Sequence, residues 1–285
     1  MTEESASKPV NRSSDRGPQA RAGDTTGASG QEDAATSSGE GLSLWTRAHV
    51  APFVAFLLFL GLPDLLELFG VETGRQDQPW YLSEPRHWLY PVQTVACLLV
   101  LWRYRSQYQF RPIRGLPLAV TLGIVGTLFW LLPGWVYQHW SMPDGWWKHL
   151  GFADRSSGYQ TDGLPGGQLV AGTVIAFRFM RLVVLVPFVE EILWRGFLMR
   201  FLVRPEGDYR SVPFGTFHWP SLFWVTLLFV LVHQPPDYAG AVVFGLLMYA
   251  VAVRTKSLAA CIVMHAVANA LLGTYVLYSQ QWGYW

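Results

Sequence analysis

Charge is scarce in this chain. Only 14% of its 285 residues are Asp, Glu, Lys or Arg, while 51% are hydrophobic; soluble domains carry about 25% charged residues. That balance excludes an ordinary soluble domain and points to a membrane protein. Cysteine is nearly missing. Cys97 and Cys261 both fall inside apolar runs, where a thiol packs as a small hydrophobe, so neither a disulfide framework nor a cysteine metal site is expected. No strong net charge exists either. At +1, with basic residues set between apolar runs, the chain gives no argument for a nucleic-acid partner. Its start lacks the basic stretch and apolar core of a cleaved signal peptide, so the first span is expected to direct insertion. Three catalytic patterns are also wanting. The one Gly-x-Ser-Gly string, Gly27 to Gly30, lies in a polar tail where nothing would activate the serine. Asp64 stands alone beside Pro63 rather than in an aspartate pair, and there is no His-Glu-x-x-His.

What the chain has is apolar length and aromatic rings. Runs near 46–69, 87–104 and 115–137 are each long enough for about 30 Å of hydrocarbon. A tract over 168–203 follows, then runs at 219–234, 238–254 and 257–279. Several of the 14 tryptophans, among them Trp45, Trp102, Trp135 and Trp219, lie at the edges of these runs, as headgroup-level rings do. The expected fold is all-α, a polytopic bundle of seven transmembrane helices, or eight if the 168–182 segment re-enters; the 168–203 tract reads either as two short helices broken near Pro187 or as one extended crossing. Residues 1–44 read as a disordered polar tail. Residues 45–167 form the first helices and loops, 168–279 a core that holds the motifs, and 280–285 a short tail. Arg103, Arg105, Arg111 and Arg114, then Arg200, Arg204 and Arg210, then Arg254 and Lys256 fall on one side if the tract crosses once. By the positive-inside tendency the amino terminus is then cytoplasmic, in a cell membrane.

Inside the tract stand Glu190, Glu191 and Arg195, three ionisable groups within six residues. Each costs about 2.5 to 3.5 kcal/mol near a bilayer centre, so their default reading is a functional site. On a helix Glu191 and Arg195, four apart, share a face, while Glu190 points about 100° away. The pair therefore reads as a buried tether, and Glu190 as a carboxylate left free to act as a base. Two later runs carry further pairs at the same spacing, Phe229 with His233 and His265 with Asn269. His265 and Asn269 both bear N–H donors able to hold an oxyanion, and His233 is placed to share the proton of a water. Taken singly, each histidine is better explained by an interhelical hydrogen bond; together with Glu190 they read as a site.

The order Glu-Glu-x-x-x-Arg, Phe-x-x-x-His, His-x-x-x-Asn on successive spans resembles the CAAX protease and bacteriocin-processing (CPBP) family of intramembrane endopeptidases. The resemblance covers about residues 168–275. It implies a helical bundle with a conical internal cavity, in which Glu190 activates water and the histidines and Asn269 stabilise the tetrahedral intermediate. Its substrates would be membrane-associated peptides or proteins, with the lipid bilayer as the other partner. The family has also been described as metal-dependent, and Glu190, His233 and His265 form a His₂Glu set to which zinc could bind with one position open. A metal-free general base is the favoured form. Two other classes compete: a non-catalytic membrane scaffold that uses the polar cluster as glue, and a proton-coupled transporter, for which no inverted repeat speaks.

Overall fold

A computed structural model describes residues 43–75, 77–83, 85–140, 142, 145–158 and 167–285. The tail reading for residues 1–44 therefore lies outside the described residues, save for Ser43 and Leu44. Ser43 caps the first helix by accepting from Thr46 N at 3.2 Å. The described part is all-helical, with no strand. Its main helices are α1 (Leu44–Leu60), α2 (Leu62–Leu68), α3 (Arg86–Arg103), α4 (Leu116–His139), α5 (Gly167–Phe201), α6 (Trp219–Leu231), α7 (Tyr238–Thr255) and α8 (Leu258–Ser279).

Among the described residues α4, α5, α7 and α8 are long and apolar enough to cross a membrane, and α1 with α2 makes a fifth candidate if that bent pair counts as one span. Here the structure shows fewer candidates than the seven runs of the sequence. The run at 46–69 breaks at Gly61, and its halves meet at 54°, because Pro63 opens a new helix rather than continuing the old one. Helix α3 carries Arg86, His87, Gln93 and Arg103, which dilute its apolarity. Helix α6 has only 13 residues, or about 20 Å of rise. The tract over 168–203, by contrast, is one continuous 35-residue helix, not two.

Pro187 does not break α5 because a π turn, Arg181–Leu185, precedes it. A proline has no N–H for the carbonyl four residues back, and its ring would strike that oxygen. The wider turn relieves the clash: Val186 N–H reaches back five residues to Arg181 O. A second π turn, Ile192–Leu198, follows the carboxylates. The two carboxylates are thus flanked by π turns on an unbroken helix, with Arg195 inside the second.

Helix α8 lies against α4, α5 and α7. Glycines of α4 allow two close approaches: a Cβ on Gly123 would come within 2.7 Å of Met264 O on α8, and one on Gly126 within 2.7 Å of the Phe244 ring on α7. Thr127 Oγ1 donates to Gly123 O of its own helix at 2.9 Å and lies 3.4 Å from Ala268 O of α8. Gly123→Ala is expected to lower stability by about 1 to 3 kcal/mol, because the obstacle is backbone and cannot rotate away. Thermal unfolding in detergent measures it; an unchanged midpoint would show that α4 and α8 do not approach this closely.

The three basic clusters meet at one end of the bundle. Arg114 Nε donates to Thr255 O at 2.5 Å, Arg200 Nε to Val212 O at 2.9 Å, and Lys256 Nζ to Gly215 O. These bonds join the α3–α4, α5–α6 and α7–α8 connections. At the far end of α8, a short turn, Trp282–Tyr284, folds back. Arg155 pins it there through Nη1 to Gly283 O at 3.1 Å, and through Nη2 to Pro236 O at 2.7 Å and Asp237 Oδ1 at 2.8 Å.

Candidate active site

Glu190 and Glu191 occupy adjacent positions of α5 and have different surroundings. Glu191 is fully buried and bonded on two sides. Arg195 Nη1 lies 3.3 Å from both of its carboxylate oxygens, and His265 Nδ1 donates to Oε1 at 2.8 Å. The Arg195 guanidinium sits 5.2 Å from the centre of the Phe229 ring, so a motif aromatic covers the motif cation. Glu190, 7% exposed, faces the other way. Its Oε2 is buried and has no hydrogen-bond partner. The roughly 100° between neighbours on a helix is what separates the tethered carboxylate from the free one.

Glu190, Phe229, His233, His265 and Asn269 line one pocket of about 170 Å³. His233 and His265 share it although one follows a helix and the other sits a third of the way along one. Helix α6 ends at Leu231, so His233 lies in the turn beyond it, where His233 N–H bonds Val230 O at 3.0 Å. His265 is the eighth residue of α8. Offset helix starts bring the two to the same depth.

Hydrogen bonding fixes which imidazole nitrogen faces the pocket. His233 Nδ1 lies 2.7 Å from Phe229 O, and a carbonyl only accepts, so Nδ1 carries the proton and Nε2 is left. His265 has its Nδ1–H on Glu191, so it too offers Nε2. Asn269 Nδ2 donates one of its two hydrogens to Leu182 O at 2.8 Å. That carbonyl is available because of Pro187: in the π register Leu182 O would take the N–H of residue 187, and there is none. The sequence reading had His265 and Asn269 as two open donors; here each spends one N–H on α5. Asn269 keeps a second, whereas His265 donates into the pocket only when doubly protonated, with Glu191 then its counter-ion.

The structure adds residues to which the motifs gave no role. Gly126, Thr127 and Trp130 of α4, Asp237 and Tyr284 also line the pocket. Trp130 meets the His233 ring edge-on at 5.4 Å. Burial pushes the Tyr284 hydroxyl up to about 12, so it stays a donor. Asp237 lies four residues after His233, which was the one sequence signal that could have marked it. Among the described residues no three His, Cys, Asp or Glu side chains gather into a group that could hold a metal. No step below runs through one.

An all-helical integral membrane protein with buried carboxylates and imidazoles around one pocket is the class that these features define. Residues 172–271 match the Rce1-like family, type II CAAX prenyl endopeptidase Rce1-like, a family of protease hydrolases, and this stretch contains every motif residue. The resemblance read from the motifs is borne out over that stretch. No curated protein and no solved structure matches the chain.

Proposed function

We propose that this protein is an intramembrane endopeptidase that hydrolyses a peptide bond of a membrane-associated peptide or protein, with Glu190 as the general base. The observation that carries this reading is the division between the two carboxylates. Glu191 is tied to Arg195 and His265, while Glu190 makes no hydrogen bond or ion pair to a described residue and lines the pocket with both histidines. A water between Glu190 and His233 Nε2 can donate to both acceptors. Glu190 takes its proton as the oxygen attacks the carbonyl carbon. The free N–H of Asn269 and a protonated His265 then bond the oxyanion, and Glu191 with Arg195 holds His265 in place. Protonation of the leaving amine from Glu190 completes the cleavage. The family match supports the reaction class, and the geometry supports the roles.

In this reading the bundle crosses the membrane seven times. The pocket is its internal catalytic cavity, and the end with the basic clusters, which also holds the start of α1, is cytoplasmic. The turn that carries His233 lies at membrane depth, where irregular backbone is tolerated if it lines a cavity.

The test is cleavage of a quenched membrane-anchored peptide library by purified protein in lipid, with and without a strong zinc chelator. Turnover that survives the chelator supports the general base; turnover lost to it and restored by zinc assigns Glu190, His233 and His265 to a metal. No turnover from folded protein favours the scaffold. His265→Ala and Asn269→Ala are expected to lower kcat by about 10²- to 10³-fold with little change in KM, since oxyanion donors act mainly in the transition state. A loss confined to KM would remove them from that role.

A further inference from the structure

A second hollow lies at the basic end of the bundle, outside the site just described. It encloses about 440 Å³, and its walls come from the start of α1, the α3–α4 and α5–α6 connections, the end of α5 and the α7–α8 turn. Four cations face it, Arg111, Arg114, Arg200 and Lys256, and among the described residues no Asp or Glu lines it. Among the described residues none of the four is in an ion pair. Arg114, Arg200 and Lys256 are held by backbone carbonyls, which orient a cation without neutralising it. That leaves both terminal nitrogens of Arg114 and Nη1 of Arg200 uncommitted. Arg111 has no hydrogen-bond partner among the described residues.

Positive-side enrichment accounts for basic residues at this end. It does not account for their convergence on one concave wall, where like charges repel unless an anion sits between them. We propose that this hollow binds a phosphate group, carried by an anionic phospholipid. Guanidinium forks match phosphate oxygens two at a time, and basic pockets between membrane helices take lipid headgroups. The first turn of α8, at Leu258, adds the positive end of a 22-residue helix. Trp45, which stacks with His49 at 3.7 Å, and Leu258 give the hollow an apolar flank suited to a lipid's glycerol and upper chain, which free phosphate would not need.

The experiment is thermal unfolding of the purified full-length protein in a neutral detergent, at fixed ionic strength. Phosphatidylglycerol, phosphatidylcholine and inorganic phosphate are added in turn. Phosphatidylglycerol is expected to raise the midpoint and phosphatidylcholine to leave it unchanged. The rise should shrink in Arg111→Gln and disappear in Arg111→Gln/Arg114→Gln. It should persist in Arg103→Gln/Arg105→Gln, which removes two charges near the same end but outside the hollow. Arg111→Gln has no bond to lose, so it carries the test should the double variant fold poorly. A rise of equal size with inorganic phosphate supports the site and assigns it to free phosphate. A rise lost equally in both double variants is diffuse attraction and overturns the site, as does no rise with either phosphate source.

Discussion

Glu190→Gln is expected to abolish peptide cleavage and leave the protein folded. Glutamine matches glutamate in shape, and Glu190 Oε2 has no hydrogen bond to lose, so little structural cost is attached to the change. The amide cannot take a proton from water. General-base catalysis contributes about 10²- to 10⁴-fold, and a base that also hands its proton to the leaving amine loses both steps at once. Turnover in lipid should therefore fall by at least that factor while the unfolding midpoint moves by only a few degrees. A variant that retained turnover within about tenfold of the parent would remove Glu190 from the mechanism. One that lost activity and fold together would make it structural.

One turn away, fold and activity are expected to fall together. Arg195→Met keeps a long side chain but takes the cation from a carboxylate that is 0% exposed. Removing one partner of a buried pair costs about 3 to 5 kcal/mol, because the remaining charge has no solvent to return to. Here the remaining charge would have His265 alone. Global stability should fall by about that amount, and activity with it, since His265 takes its orientation from Glu191. Glu191→Gln/Arg195→Met should recover part of the stability but not the activity. If Arg195→Met alone unfolds at the parent's midpoint, the pair is not the tether that its burial indicates.

These two predictions rest on what helical periodicity places side by side. Glu190 and Glu191 had to point apart, and Glu191 had to meet Arg195, on any helix through that tract; the pairing is local and can be read from spacing. The apolar runs, the basic clusters and the order of the motifs were equally plain in the sequence. Folding decided the rest. Pro187 reads as a helix breaker, yet α5 continues through it, because a π turn placed before it relieves the clash. The carbonyl which that turn leaves open is bonded by Asn269, 87 positions later. His265 pairs with Glu191 across 74 positions, and this sets which nitrogen it offers to the pocket. Spacing within one helix cannot report such contacts, since they depend on where separate helices start and how deep they pack. The short α6 places His233 beside His265 for the same reason. So do Trp130, Asp237 and Tyr284 at the pocket, and the four cations around the basic hollow: each comes from a segment whose own pattern names no partner, and only the packed bundle brings them together.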